Sequence, residues 1–377
     1  MKQKKKTGLH ALIAFLKKET VFCIATLLAI GSSFAVPLDT SYASYLDYRV
    51  LALLFCLMLV VAGLQDIGLF SYLGVRLLGG IRTTRQLCLL LISLCFFSAM
   101  FITNDVALIT FVPFAIMVLT MSGEERLFIP VIVLQTISAN LGSMLTPIGN
   151  PQNLYLYSAF SLPIETFLWY MAPLTLLSFV LLLLCAVLLK KRPLTVTKLP
   201  AAPMPQKVSL CFYLLLFLLC LACVIHLLPW QVMLAVLICA ILLKNRTLFK
   251  QVDYFLLLTF VCFFVFIGNI ERLPAVSSLL RSFIEGRELT LGILFSQFIS
   301  NVPAAILLSG FTDSVRPLLY GVNIGGLGTL IASLASVISF RCYTSSKGAH
   351  AGAYLKTFTI YNIIFLAVLG IAAVGFL

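Results

Sequence analysis

Charge-free apolar stretches dominate the chain. They occupy 21–38, 86–104, 106–123, 127–164, 166–189, 208–243, 289–312, 317–340 and 357–377, and further apolar runs fill 50–65 and 254–270. A helix needs roughly 20 apolar residues to cross a ~30 Å hydrocarbon core. Several of these runs reach that length, so the pattern predicts membrane-spanning α-helices. A cleaved leader peptide mimics one such run, not a whole series. Two segments differ. Residues 67–80 are glycine-punctuated, with Arg76, Arg82 and Arg85 in and beyond them, and 272–288 carry Arg272, Arg281, Glu285, Arg287 and Glu288. Both read as amphipathic helices lying along a membrane face.

One apolar region is interrupted. The stretch TISANLGSMLTPIGNPQNLYL (136–156) holds Asn140, Asn150 and Asn153, with the breakers Gly142, Pro147, Gly149 and Pro151, and no charge. Irregular backbone at membrane depth is tolerated only where it lines a cavity or is buried in protein. The stretch therefore marks an unwound helix.

Composition agrees with the pattern. The chain is 61% hydrophobic and 10% charged, with a mean hydropathy of +1.10, far from the soluble globular range. The net charge of +13 raises a nucleic-acid reading. Its placement argues otherwise. Lys2, Lys4, Lys5, Lys6, Lys17 and Lys18 crowd the N-terminus, and Lys190, Lys191, Arg192, Lys198 and Lys207 fill a proline-rich linker. Basic residues beside spans record cytoplasmic loops, and none is interleaved with aromatics as a base-stacking surface requires. Eleven cysteines lie scattered in apolar runs, and the lone Cys-x-x-Cys, Cys220 to Cys223, has only His226 close by. Packing is their simplest role. Trp169 and Trp230 fit interfacial anchors.

The basic clusters set a topology. With the N-terminus cytoplasmic, 21–38 cross outward, 50–65 return, 86–123 enter and come back, 127–153 cross outward and 166–189 return. The Lys190–Lys207 linker is then cytoplasmic. In the second half, 208–228, 230–243 and 254–270 alternate, and 289–316 dip in and return as a hairpin. That keeps Arg341, Lys347 and Lys356 cytoplasmic and leaves the C-terminus external. The fold class is an all-α polytopic membrane protein with about nine full spans and two re-entrant hairpins.

The two halves share motifs. FITNDVALITFVPF (101–114) and SANLGSMLTPIGNPQN (138–153) match FISNVPAAILLSGF (298–311) and GVNIGGLGTLIASLAS (321–336). Thr103 and Asn104 align with Ser300 and Asn301, and Asn140, Gly142 and Thr146 with Asn323, Gly325 and Thr329. Residues 1–189 then form a first inverted repeat (hairpin 86–123, broken helix 127–153). Residues 190–228 are the linker and a connecting span. Residues 229–377 form the second repeat (hairpin 289–316, broken helix 317–340). Inverted repeats with broken helices are the architecture of secondary transporters, whose sites lie at the repeat interface. Unwound carbonyls coordinate cations there, and half-helix N-termini favour anions. The plainer alternative is that Gly, Ser and Asn only let helices approach closely.

These paired motifs resemble the ion transporter superfamily, which includes divalent anion:sodium symporters, citrate transporters, arsenite permeases and one class of sodium/proton antiporter. The likeness is strongest to citrate-transporter-like permeases of bacteria. It implies an eleven-segment fold, a homodimer and an elevator-type motion. It further implies that Thr103, Asn104, Asp105, Ser300, Asn301, Thr146 and Thr329 contact substrate. Asp105, Asn104, Asn140, Gly142, Asn150, Asn153, Asn301, Asn323 and Gly325 serve a coupling cation, H+ or Na+, with no other cofactor. The third tip residue is Asp105 in one half and Val302 in the other, where carboxylate binders carry threonine, and Asn-Asp at a tip resembles the arsenite permeases.

The reading is an ion-coupled transporter of a small anion, such as a di- or tricarboxylate, in the cytoplasmic membrane, with no nucleic-acid partner. Its alternatives are a metalloid exporter and a sodium/proton antiporter. Asp105 is the sole acid well inside a membrane run, and an intramembrane carboxylate is a functional residue by default. It serves as a proton-linked coupling group, or as a helix cap that stays ionised, or as both. A membrane-embedded aspartyl hydrolase needs two carboxylates in one site, and a serine type needs a base beside Ser143 or Ser300. Neither set is legible, so no enzyme is expected. A passive channel also uses backbone carbonyls, and counterflow separates it from a carrier. On this topology a cysteine introduced in the Lys190–Lys207 linker of a cysteine-depleted chain reacts with impermeant maleimide only from the cytoplasmic side. Labelling from outside would sink the arrangement.

Overall fold

The computed structural model describes residues 19–194, 203–346 and 348–377. The N-terminal lysines, Lys198 and Lys347 lie outside those residues. Among the described residues the chain is helical, with one isolated bridge, between Thr83 and Pro193. In chain order the helices are α1 (Thr20–Ser33), α2 (Tyr48–Asp66), α3 (Leu69–Leu77), α4 (Thr84–Ile102), α5 (Asn104–Met121), α6 (Phe128–Gly142), α7 (Pro151–Ala159), α8 (Ile164–Leu188) and α9 (Lys207–Val224). There follow α10 (Trp230–Lys244), α11 (Tyr254–Glu271), α12 (Pro274–Ile284), α13 (Glu288–Ile299), α14 (Asn301–Ser309), α15 (Val315–Ile324), α16 (Leu334–Thr344) and α17 (Ala351–Phe376).

By length and composition eight of these segments can cross a membrane, and two of the eight are α4 and α5, the legs of the first hairpin. The legs of the second hairpin are only 12 and 9 residues long. A count of nine spans is reached by including α1 and α10, apolar helices of 14 and 15 residues, and by taking each broken helix as one span. At 1.5 Å per residue α1 and α10 are only about 20 Å long. The amphipathic segments are the short helices α3 and α12, as their charge pattern predicts.

Local chemistry explains the boundaries. Asp47 and Asp253 cap α2 and α11 in the same way: each carboxylate accepts from the backbone N–H three residues on, that of Val50 at 2.9 Å and of Leu256 at 3.0 Å. Their backbones match too, at φ/ψ of −79/87 and −80/86. Tyr48 and Tyr254 each donate a hydroxyl to the carbonyl five residues back. Each hairpin turns on one non-glycine residue of positive φ, Thr103 (70/152) and Ser300 (73/155). That region is strained for side-chain-bearing residues and persists only where the surroundings over-determine it. A shared, costly conformation at the same place in both halves marks the tips as built features.

The broken helices run further than the sequence suggests. The first continues past Asn153, because Pro151 begins a new helix at a position where its missing N–H costs nothing, and α7 reaches Ala159. The second spans α15, a break at 325–333, and α16, which ends at Thr344. The hairpin legs likewise occupy 84–121 and 288–309.

Packing follows the same correspondence. α4 lies along α6 and α13 along α15, while α16 rests on α5 and α7 on α14, so each half's outgoing broken segment leans on the other half's hairpin. Two glycines permit this closeness. A Cβ on Gly142 would sit 2.1 Å from the Phe96 carbonyl oxygen, and one on Gly321 would sit 2.7 Å from the Leu289 carbonyl oxygen. Substituting Gly142→Ala must push backbone apart, costing about 1–3 kcal/mol. Gly370→Ala, with nothing within 4 Å, is the control. Thermal unfolding in detergent should show a clear loss for the first and little change for the second.

Candidate functional site

The two hairpin tips and the two breaks meet in a buried polar centre. Asn104 Nδ2 donates to Asn140 Oδ1 at 2.9 Å, and Ser333 Oγ donates to the same oxygen at 2.9 Å. Asn140 Nδ2 reaches the Gly326 carbonyl at 3.5 Å. A Cβ on Gly326 would come within 2.9 Å of Asn301 Nδ2, so the second tip lies directly against that glycine. Asn104, Asn140 and Gly326 thus form a continuous chain of contacts to Asn301. Asn104, Ser300 and Asn301 are each 5% exposed. The second tip is pinned by its own break, since Asn301 N and Ser300 Oγ both donate to the Ala332 carbonyl.

A second linkage joins the breaks themselves. Asn323 Nδ2 donates to Asn153 Oδ1 at 2.7 Å, and Asn153 Nδ2 lies over the carbonyls of Ser143, Met144 and Thr146 at 3.3–3.4 Å. Asn150 Nδ2 donates to Ser143 Oγ. The two threonines of the sequence motif do equivalent work. Thr146 Oγ1 donates to the carbonyl of Met100, three residues before tip residue Thr103, and Thr329 Oγ1 donates to that of Gln297, three before Ser300. Both hydroxyl protons are therefore committed to bracing a hairpin leg against its break. Gly142 and Gly325 provide close packing, Gly325 against Ser296 Oγ.

Three side chains in this centre are absent from the sequence-derived set. Ser333 occupies the register position of Asn150, seven residues after Gly326, and the repeat alignment itself points to it. Gln297 donates to the Gly325 and Leu327 carbonyls at 2.9 Å each and accepts from Thr329 N, clamping the second break. Asp253, an exposed cap at the start of α11, carries no motif at all.

Asp253 matters because a cavity of about 240 Å³ connects it to the first tip. The lining includes Thr103, Asp105, Asn150, Gln65, Gln251 and Asp253, over an apolar wall from α2, α5 and α16. Among the described residues no Lys, Arg or His lines it. Asp105 and Asn150 are thus brought together with Asp253, while Ser300 and Asn301 are not part of the lining. Asp105 Oδ1, Asn150 Oδ1 and Asn323 Oδ1 are buried oxygens with no hydrogen-bond donor among the described residues. A buried acceptor left so costs about 1–3 kcal/mol, so the centre favours species that donate hydrogen bonds or carry positive charge. No three His, Cys, Asp or Glu side chains cluster among the described residues, and all eleven cysteines are free.

A bundle of apolar helices, interrupted at two buried polar breaks and reached by a cavity, fits a multi-pass membrane transporter. The chain belongs to the citrate transporter family, whose model matches residues 11–317. It is 33% identical over 328 residues to an uncharacterized transporter of Methanocaldococcus jannaschii, covering 86% of this chain and 88% of that protein. It is 33% identical over 337 residues to the inner membrane protein YbiR of Escherichia coli, again covering 86% and 88%. A shorter likeness, 39% over 118 residues, links it to the silicon efflux transporter LSI3 of Oryza sativa, covering 31% of this chain and 23% of that protein.

The bonds at Asn140 give a direct test of the centre's architecture. Asn140→Ala deprives Asn104 Nδ2 and Ser333 Oγ of one shared acceptor, and should lower the apparent stability by about 1–3 kcal/mol. Ser333→Ala removes only a donor and should cost less. Equal, negligible effects in thermal unfolding would show that these contacts do not hold the tip.

Proposed function

We propose that the protein is an ion-coupled secondary transporter of a small anion, working by alternating access between two inverted repeats. The observation that carries this reading is the cavity that runs from Asp253 to the strained first tip and to Asn150 in the first break. The matched caps, matched tips and crosswise packing support the inverted repeat, with 1–189 and 229–377 as its halves. Family membership supports a carboxylate cargo such as citrate.

The cavity's electrostatics bear on how such a cargo travels. With two carboxylates and no basic side chain among the described lining residues, a polyanion enters only when its charge is offset by protons or metal cations. Asp105 is the coupling group in this reading: loaded with H+ or Na+, it no longer repels an anion arriving at the tip. The helix N-termini of α5 and α14 then supply backbone N–H groups to the cargo. Homodimer formation and a cytoplasmic-membrane location with the N-terminus inside accompany the proposal.

A second reading has its own support. Hydroxylated oxyacids of silicon or arsenic are largely neutral at physiological pH, donate hydrogen bonds and need no basic side chain. The unpaired acceptors at Asp105, Asn150 and Asn323 and the likeness to a silicon efflux transporter both favour such a cargo.

Reconstituted vesicles with independently imposed pH and sodium gradients test these readings together. Citrate, silicic acid and arsenous acid serve as cargoes, and counterflow distinguishes a carrier from a channel. The expected cap at Asp105 is not formed: Thr103 at the N-cap of α5 makes no side-chain cap bond, the Ala107 N–H bonds the Thr103 carbonyl, and Asp105 Oδ1 has no donor among the described residues. Asp105→Asn keeps the size of the side chain but cannot titrate, so it should abolish the response to the pH gradient. An unchanged response would refute the proton-coupling role. Asn104→Ala and Asn301→Ala should each lower cargo affinity by about one to two decades, equivalent to a lost buried hydrogen bond of 1–3 kcal/mol. Wild-type transport by both variants would mean that the tips are not the site.

A further inference from the structure

The two poles of the molecule carry the same elements in different states. Counted from their caps Asp47 and Asp253, α2 and α11 place Leu54 with Phe260, Met58 with Phe264 and Val61 with Ile267. Counted from their first residues Pro151 and Leu334, α7 and α16 place Tyr155 with Ile338 and Ser158 with Arg341. At the pole of Asp47 these positions are closed. Tyr155 packs on Phe260 and Phe264, with ring centroids 6.0 and 5.7 Å away, and Ser158 Oγ donates to Asp47 Oδ2 at 3.3 Å. At the pole of Asp253 the matching side chains Leu54, Met58, Val61 and Ile338 line the cavity instead of touching across it.

The missing member of the second set is Arg341. Leu334 and Ile338 put one face of α16 on the cavity, and Arg341 continues that face one turn further out. It is exposed, and among the described residues it pairs with no carboxylate. Asp253 stands on the opposite wall. One carboxylate oxygen is used on the Leu256 N–H, and among the described residues no ion pair engages the other. What Ser158 does for Asp47 at the closed pole, Arg341 is positioned to do for Asp253.

We propose that Asp253 and Arg341 form the ion pair that closes this cavity, as α16 moves onto α2 and α11 while Tyr155 leaves Phe260 and Phe264. The pair is a positioning device for the transport cycle, and it rests on the alternating-access reading above. It gives the exposed Asp253 a role beyond its cap, and it assigns a purpose to an arginine that no motif includes.

The experiment measures the population of the opposite state. A cysteine-depleted chain carrying Phe264→Cys is purified in detergent, and the rate of modification by a hydrophilic maleimide is followed. Phe264 is 6% exposed here, so modification reports opening of the Asp47 pole, which accompanies closure at Asp253. Asp253→Asn retains a good cap, and Arg341→Gln retains length. Each should slow modification on the order of three- to tenfold, the range of one modest ion pair acting on a two-state equilibrium. The double variant should be no slower than either single one, because a pair is lost only once. Unchanged rates in the single variants, or multiplied effects in the double, would overturn the pair and leave alternating access standing. If Phe264→Cys never reacts in the otherwise unaltered chain, the alternating-access reading fails first and takes the pair with it.

Discussion

Everything in this structure turns on two interrupted helices whose backbone polar groups must be satisfied where no bulk water reaches. In hydrocarbon an unpaired N–H or C=O costs several kcal/mol, which is why membrane chains are helical throughout or closed into barrels. Here the breaks are resolved by neighbouring side chains. Asn153 covers three carbonyls of the first break, and Gln297 covers two of the second. Thr146 and Thr329 tie each break to the leg of its own hairpin. The second break takes its main clamp, Gln297, from its hairpin, and the first takes Asn153 from the helix that follows it. The tips inherit their strained backbone from the same requirement: Thr103 and Ser300 hold positive φ only because both legs are already fixed.

Much of this was legible in the sequence. Apolar run lengths gave helices, and the basic clusters gave a self-consistent register. In the structure Arg85 and Thr84 bond the backbone at Leu189 and Lys190, which brings two of those clusters together. Asparagine in a leucine-rich run is conspicuous because burying it unpaired is so costly, and Asn104 bonds Asn140 while Asn323 bonds Asn153. Ser333 and Gln297 were less visible. The repeat register points to Ser333 but not to what it bonds, and the partners of the two side chains lie 193 and 28–32 residues away. Asp253 was hidden for a different reason: beside Lys250 it reads as an ordinary loop acid and cap. Its place on the cavity wall follows from how α11 packs, which no local pattern encodes.

The correspondence between halves is informative where it fails. Asn104 matches Asn301, yet Asp105 matches Val302, so an ionisable group exists at one tip alone. If both tips carried carboxylates, two buried negative charges near one centre would repel and one would be held neutral. A single carboxylate avoids that frustration and confines any titration to the tip that the cavity reaches. The ionisable chemistry then lies at the first tip alone. Ser300 and Asn301 are accordingly bound to backbone at Ala332 and stay out of the lining, whereas Thr103 and Asp105 face the cavity.

A further asymmetry concerns what fills each pole. The closed side packs Phe260 and Phe264 around Tyr155, where the open side offers Leu54, Met58 and Ile338. Aromatic side chains bury 150–250 Å² each, and an aromatic pair gains about 0.5–1.5 kcal/mol beyond its area. An aliphatic wall closes with less gain, so the aromatic pole is the one expected to rest shut. Under the alternating access proposed above, the opposite arrangement must be reached as well, and a difference of a few kcal/mol would make it rare. The aliphatic pole therefore needs an additional attraction that acts only when it closes. Charged groups spaced across its mouth provide one without occupying the path while it is open, because their mutual energy falls quickly with distance in water and rises as the gap dries. On the alternating-access proposal, the unequal packing of the two poles and the placing of Arg341 where the other pole has Ser158 against Asp47 are a single adaptation, balancing two states.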